Sequence, residues 1–413
     1  MSLKAFYQHL ELISDRGVRP SLSRIQEAVH ILGDPQKKYK IIHIAGTNGK
    51  GTVSNYTANL LSLNGYKVGM TMSPHVNDYR ERIQISNSQT SSMQLIPEKD
   101  LLDVHSYLIQ KLPDSLNLTY FEWGILLALE YFKLKKVDFA VLETGLGGRW
   151  DATNICESIF SAITTIDYDH TEYLGDTKSK ILIEKLQIIK KNSDFLFGPN
   201  ETELILLAKN KCQQQNTNFN LATDILNSPK QQKNVSYIKN NTDLPPYLEN
   251  NFLFCFAICL TLIKKGIPLE FLKYANELSQ KLPPARIETI QKDPTIILDG
   301  AHNIAGVKTL KKYLKSQHNN RYTLVFGCLK DRQMDQLVSE IISSSQNYWP
   351  LFEAGQRATS FNTYNKVKQK FGGEIVDLDQ DFKTKLLDKK LIEPIIVCGS
   401  FYLCSQIKNL ICN

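Results

Sequence analysis

The sequence predicts an α/β protein with a mostly parallel sheet, followed by a smaller α/β domain. Three observations carry that expectation. Short apolar runs alternate with helical stretches along the chain. Glycine-rich and polar motifs follow the C-terminal ends of those runs, where open parallel sheets collect ligands. The chain has 413 residues, more than one ordinary core holds.

Residues 40–45 (KIIHIA) read as a buried strand, followed by a glycine-rich turn and a helical pattern from about 52 to 63. Residues 67–70 give a second strand, 120–132 a long apolar helix, 137–143 (VDFAVLE) a buried strand ending at Glu143, and 161–167 (SAITTID) another ending at Asp167. Such alternation reads as βαβ units with helices on both faces of the sheet. Asn and Gln crowd between about 208 and 246, where peripheral loops and weak strands are expected. A helix resumes near Leu248. The proline-rich stretch 282–286 (LPPAR) marks a domain joint. Beyond it, 295–299, 322–327 and 394–399 again read as buried strands.

Composition narrows the function. Apolar residues make up 42% and charged residues 22%, as in a globular chain. The net charge of +7 suits small anionic substrates and falls short of the dense basic footprint of a nucleic-acid binder. The longest strongly apolar run, 252–263, is twelve residues, against ~20 for a bilayer-spanning helix, so no membrane is expected. The N-terminal stretch MSLKAFYQHLELI is amphipathic and lacks the pattern of a signal peptide. The eight cysteines form no CxxC pair and read as buried free thiols, so a cytoplasmic protein is expected.

The strongest local signal is HIAGTNGKGTV, residues 43–53. A strand leads into Gly46-Thr47-Asn48-Gly49-Lys50-Gly51-Thr52, and a helix follows. Glycines let backbone N–H groups approach phosphate oxygens, and the helix N-terminus adds partial positive charge. Lys50 can bridge the outer phosphates of a nucleotide, and Thr52 offers a hydroxyl near a metal. The spacing departs from the GxxxxGK[ST] pattern: two residues separate Gly46 from Gly49, and Gly51 intervenes before Thr52. An ordinary glycine-rich βα turn with an exposed lysine is the plainer alternative.

Three further blocks could surround the terminal phosphate: Ser73-Pro74-His75, then 142–149 (LETGLGGR), then Asp169-His170-Thr171-Glu172. Mg²⁺ takes hard oxygen ligands and keeps several waters, so one carboxylate and one hydroxyl are a sufficient protein contribution. Glu143 is the leading carboxylate because it ends a buried apolar strand before a glycine-rich turn. His170 could ligate through a neutral imidazole. Read plainly, Glu143 is a surface acid and His170 a structural histidine.

HIAGTNGKGT, SPH followed by RERI, TYFE, LETGLGGRWDATN, DHTEYLGDTKSKILIEK, LDGAHN, VFGCLKD and CGSFYL stand in this order along the chain. Together they resemble the folylpolyglutamate synthase/dihydrofolate synthase family, a branch of the Mur ligase superfamily. The resemblance implies a P-loop-type ATPase domain with a mostly parallel sheet, 1–283, and a smaller Rossmann-like α/β domain that acts on glutamate, 284–413. It implies that ATP phosphorylates a carboxylate of dihydropteroate or of a folate, and that the amine of L-glutamate attacks the acyl phosphate.

Position by position, the resemblance implies ATP binding at Asn48, Gly49, Lys50, Gly51 and Thr52, and at Asn251, Arg286 and Asp299. It implies Mg²⁺ binding at Ser73, Glu143 and His170. Lys50, Lys185, Arg286 and His302 are implied as catalytic, with Lys185 carbamylated; unmodified, Lys185 would be an ordinary solvated helix lysine. The acceptor side is implied at Thr119, Tyr120, Phe121 and Glu122, with Asp151 and Ala152 nearby and the 18–20 loop as a lid. An aromatic face suits a flat heterocycle, and an acid can accept from its exocyclic amine. Tyr120 and Phe121 also fit plain core packing. Ser400 is implied to meet phosphate or glutamate. The expected cofactors are ATP and Mg²⁺, two ions of it, with a monovalent cation as an option. The expected partners are small molecules alone, with no nucleic acid and no membrane, and the chain is expected to be a monomer.

The sequence departs from the family pattern in four places. Pro-Gly-Arg at the joint reads Pro284-Ala285-Arg286, which suggests a stiffer hinge. GAHNP reads GAHNI, with Ile304 for proline. EKAGIIK reads EKLQIIK beside Lys185, and the Leu after GGR is Trp150, which could narrow the substrate pocket. A Mur-type cell-wall amino-acid ligase is the alternative enzyme. Gly51 after Lys50 and the short stretch before the loop disfavour it. A nucleotide-binding scaffold protein is the reading from another class.

Overall fold

The computed structural model describes every residue except Met1, Val18, Ser88, Asp331, Ser344, Ser345, Lys389 and Asn413, with the Gln356 side chain also left out. The 18–20 lid expectation therefore falls partly outside the described residues. The chain divides into two compact units, Met1–Leu282 and Pro283–Asn413.

Among its described residues the first unit holds eight strands: β1 (Lys40–Ala45), β2 (Val68–Thr71), β3 (Ile83–Ser86), β4 (Met93–Leu95), β5 (Phe139–Glu143), β6 (Phe160–Ile163), β7 (Asp194–Phe197) and β8 (Asn218–Leu221). Their order across the sheet is β4-β3-β2-β5-β1-β6-β7-β8. The β2-β3 and β3-β4 pairs are antiparallel, and the remaining pairs are parallel. β1 lies between β5 and β6, so the chain leaves it at a crevice where the winding reverses, the place where such sheets bind ligands.

Side-chain alternation in β1 explains why both faces are covered. Ile42 and Ile44 join one core with Val53, Phe252 and Phe256, while Ile41 joins the opposite core with Leu126, Leu129 and Phe132. The helix Lys50–Leu63 is buried along nearly its whole length. Tyr56 meets the ring of Phe252 at 5.0 Å, edge to face, and Thr57 Oγ1 lies 3.8 Å from Cys255 Sγ. Full burial of such side chains contributes ~1.5–3 kcal/mol each and fixes the loop before this helix on a rigid support. Phe252 and Cys255 belong to the helix Pro246–Lys264, which is long and apolar enough to cross a membrane by composition but is mostly buried here. It extends beyond the twelve-residue apolar run because Pro246 opens it and polar residues supply its first turn.

Two stretches differ from the sequence expectation. The strand expected over 161–167 ends at Ile163, because Thr164, Thr165 and Asp167 leave the ladder to bond the loop after β1. The stretch 208–246, expected as loops and weak strands, is largely helical: Thr202–Gln214, Ala222–Leu226 and Gln232–Asn241, with β8 between the first two. Leu204, Ala208 and Cys212 stack at helical spacing against the sheet, which outweighs the modest helix propensity of Asn.

The second unit holds β9 (Glu288–Lys292), β10 (Thr295–Asp299), β11 (Thr323–Phe326), β12 (Gln346–Leu351), β13 (Glu374–Asp377) and β14 (Ile395–Cys398), in the order β13-β12-β11-β14-β10-β9. Among the described residues only β9 runs antiparallel to its neighbour. Both units thus show the α/β class and parallel-rich sheets that the sequence predicts.

Candidate active site

The loop after β1 is pinned from β6. Thr47 N donates to Thr165 O at 2.8 Å, Asn48 N donates to Thr165 Oγ1 at 2.9 Å, and Thr164 Oγ1 donates to Asn48 O at 2.7 Å. Gly49 caps the helix with φ +84°, a left-handed conformation open to glycine. A Cβ there would also sit 2.5 Å from Asn251 Oδ1, which places Asn251 directly on the loop. Lys50 Nζ donates to Thr47 O at 3.1 Å. The hydroxyl of Thr52 is buried with no hydrogen-bond partner, a polar atom waiting for one at the start of the helix.

Glu143 ends β5 next to this loop. A Cβ on Gly51 would lie 3.3 Å from Glu143 Oε2 and 3.4 Å from Oε1. The carboxylate is buried, and its Oε2 accepts from Ser73 N at 3.0 Å. The lysine loop, the strand-end acid and Ser73 therefore share one corner of the sheet. Among the described residues no three His, Cys, Asp or Glu side chains converge on a metal position. His170 adopts φ +49°, with its ring nitrogens 3.9 Å from Asp169 Oδ1 and 3.8 Å from Glu172 Oε1.

Lys185 is not a solvated helix lysine. It is buried at the C-terminus of the helix Lys178–Lys185, and its Nζ donates to Gly46 O at 2.9 Å. Burial, with Lys50 nearby, pushes its ammonium down to about 7, opposed by Asp169 and Asp151. Gly148 lets the turn after β5 run against this helix, since a Cβ there would sit 2.9 Å from Lys185 O.

Beside Glu143 and Ser73 opens a pocket walled by Tyr79, Arg82, Tyr120 and Phe121. Arg82 lies over the Tyr120 ring at 5.4 Å and over the Tyr79 ring at 5.7 Å, and its Nε donates to His75 Nδ1 at 2.6 Å. Burial and Arg82 push His75 down to about 3, so its ring is a neutral acceptor. Phe121 packs on the turn after β5: a Cβ on Gly145 would sit 2.5 Å from its ring. Arg82 and Tyr79 received no role from the sequence, although the RERI block that contains Arg82 was the available signal.

Thr119 and Glu122 form a capping box on the helix Tyr120–Lys135. In this capping box Glu122 Oε2 accepts from Thr119 N at 2.8 Å, and Oε1 lies 3.1 Å from Arg24 Nη2. Asp151 is likewise buried and holds its own turn, accepting from Leu146 N at 2.8 Å and Thr153 N at 3.0 Å. Burial raises its pKa, partly offset by those hydrogen bonds. Ala152 is buried beside it, and Trp150 is exposed and does not line the pocket.

In the second unit, Asp299 ends β10 and accepts from Ala301 N at 2.9 Å and Ile287 N at 3.2 Å. His302 Nδ1 lies 2.7 Å from Gly300 O. Arg286 lies over the Phe401 ring at 4.8 Å, and Ser400 Oγ accepts from Tyr402 N at 3.2 Å at the start of the helix Phe401–Cys412. Arg286, Asp299, His302 and Ser400 thus gather at the C-terminal ends of β10 and β14, which pair directly.

A parallel sheet with a pinned, glycine-capped lysine loop beside a strand-end carboxylate defines a nucleotide-dependent enzyme. Residues 44–245 match the Mur ligase middle domain, and residues 285–380 match the Mur ligase, glutamate ligase domain. The chain is 30% identical to the dihydrofolate synthase/folylpolyglutamate synthase of Buchnera aphidicola (subsp. Schizaphis graminum), over 96% of this chain and 94% of that protein. It is 28% identical to the protein of the same name from Bacillus subtilis, over 95% of each. The E. coli FolC structure in complex with DHPP and ADP superposes with a TM-score of 0.83 at 25% identity, covering 100% of this chain and 98% of that one. The chain belongs to the dihydrofolate synthase/folylpolyglutamate synthase family of Mur ligases. It is an ATP-dependent ligase, and the cell-wall Mur enzyme is the less specific description.

Proposed function

We propose that this ligase adds L-glutamate to dihydropteroate, forming dihydrofolate, and extends folates by γ-linked glutamate. The observation that carries this reading is the approach of the Lys50 loop to the Glu143 carboxylate, next to a pocket with aromatic walls. ATP occupies the loop through Asn48, Gly49, Lys50, Gly51 and Thr52, with Asn251 beside it. Ser73, Glu143 and His170 hold Mg²⁺, which supplies charge neutralisation at the phosphates. The buried, unpartnered Thr52 hydroxyl and the buried Glu143 carboxylate fit such an ion. A second Mg²⁺ and a monovalent cation belong to the same proposal.

The acceptor lies against Tyr120 and Phe121. Its carboxylate oxygen takes the terminal phosphoryl group of ATP and ADP leaves. The glutamate amine then attacks the acyl carbon, phosphate departs, and an amide forms with loss of a proton. Lys50 compensates phosphate charge throughout. Lys185, its amine neutral in part near pH 7, reacts with CO₂ to give a carbamate and a proton, and so becomes an anion beside the loop. Arg286, Asp299, His302 and Ser400 serve ATP and glutamate from a glutamate-ligase domain assigned to 284–413. The enzyme works as a cytoplasmic monomer on small molecules.

The test is ADP release with glutamate present, with and without dihydropteroate or tetrahydrofolate. Turnover that needs an acceptor is expected. Turnover with neither acceptor would remove the ligase reading from this site. Lys50→Ala is expected to lower turnover by at least about 100-fold.

A further inference from the structure

Arg286 sits in an unusual setting. Its neighbours Ala285 and Ile287 both adopt left-handed backbone, φ +53° and +48°, conformations that cost a β-branched residue most. Three hydrogen bonds hold them there. Ala285 N donates to Glu288 Oε2 at 2.8 Å, Gly300 N donates to Ala285 O at 2.8 Å, and Ile287 N donates to Asp299 Oδ2 at 3.2 Å. The result delivers the Arg286 guanidinium to 4.8 Å from the Phe401 ring centroid. The same ring lies 5.7 Å from the His302 ring. A Cβ on Gly300 would come within 2.3 Å of Phe401 and 2.9 Å of Arg286 Nη1, so the stack needs glycine beneath it.

Among the described residues no carboxylate forms an ion pair with Arg286. An acid would fix the guanidinium but also neutralise it and occupy its donors. An aromatic face fixes the plane and leaves the in-plane N–H donors for an anion.

We propose that Phe401 is a positioning residue that holds Arg286 as an uncompensated, oriented cation for the phosphates of ATP. The proposal rests on the reading of Arg286 as an ATP ligand, and its test separates the two. Phe401→Leu removes the aromatic face and keeps an apolar side chain; Phe401→Tyr keeps the face. Each is assayed for kcat/KM for ATP in glutamate ligation, in the parent protein and in Arg286→Ala.

Phe401→Leu is expected to lower kcat/KM for ATP by about tenfold, and Phe401→Tyr by less than about twofold. In the Arg286→Ala background the Phe401→Leu loss should shrink to less than about twofold. An undiminished loss in that background would show that Phe401 acts through folding alone and would overturn the proposal. Parent-like activity of Phe401→Leu would overturn it too. Parent-like activity of Arg286→Ala would instead sink the ATP reading of Arg286. If Phe401→Leu melts early, Phe401→Met takes its place, with the same expectation.

Discussion

The Nζ of Lys185 donates to the carbonyl oxygen of Gly46 at 2.9 Å, bringing a helix-end lysine onto the loop after β1 from 139 residues away. That contact puts two lysines, Lys50 and Lys185, at one loop, and their repulsion adds to burial in favouring the neutral amine. A neutral amine beside the proposed Mg²⁺ site is the nucleophile that CO₂ requires. We expect activity to fall in buffer stripped of CO₂ and to return on adding bicarbonate. Lys185→Ala should lose activity and gain nothing from bicarbonate. Bicarbonate-insensitive turnover of the parent protein would count against the carbamate.

The stability term from Lys185 has a defined sign. Its folded pKa, about 7, lies below the ordinary 10.5, so between those values the unfolded chain binds the proton and the native chain does not. Stability from this group therefore rises with pH across that window and is lost as pH falls towards 7. In CO₂-free buffer, where the amine is unmodified, Lys185→Met should flatten the urea midpoint between pH 7.5 and 9.5, about the part of the window open to equilibrium unfolding.

Gly49 and Gly65 have nearly the same backbone angle, φ +84° and +85°, yet different surroundings. A side chain on Gly49 would collide with Asn251, whereas Gly65 has open space around it. Gly65→Ala should cost about 1 kcal/mol of stability from the left-handed backbone and leave kinetics alone. Gly49→Ala should lower kcat/KM for ATP by about 100-fold, because it moves the loop proposed to hold the phosphates. Equal kinetic effects in the two variants would show that the loop is not the nucleotide site.

Ala285 stands where the family pattern has glycine, and its φ of +53° is the conformation that glycine accommodates without strain. Ala285 is therefore a strained alanine. Ala285→Gly removes that strain and regains part of it as chain entropy in the unfolded state. A net gain of about 0.5–1 kcal/mol is expected by chemical denaturation. A loss of stability would mean that the buried methyl packs better than the angle suggests.

Local patterns were the legible part of the molecule. The run KIIHIA followed by GTNGKGT gave β1, its loop and the next helix because adjacent residues build that unit. Glu143 was legible because it ends a continuous apolar strand. What the sequence hid depends on distant partners. The burial of Lys185 needs the turn at Gly148, and the end of β6 is set by bonds from Thr164 and Thr165 to Asn48. The contact of Glu122 with Arg24, on a separate helix, is likewise beyond any local pattern. In the 232–241 helix the apolar spacing of Val235 and Ile238 was present, but the Asn and Gln content masked it.

His43 gives the last prediction. It lies within β1, fully buried, with Nε2 2.7 Å from Thr153 Oγ1 and Nδ1 unpartnered. Burial, with a smaller effect from Lys190, pushes its pKa down from 6.5 to about 3. Between those values the unfolded chain carries a proton that the native chain refuses. The slope of stability with pH is therefore positive there, and stability is lost as pH falls below 6.5. Acidification to about pH 4 should remove about 3 kcal/mol through this group alone. His43→Gln, which keeps a polar group opposite Thr153, should lose that part of the acid sensitivity while losing some stability at neutral pH. Urea denaturation of both proteins between pH 4 and 7 (about the range where this histidine titrates when unfolded) reads the difference. Parallel pH profiles for the two would show that His43 is protonated in the folded sheet.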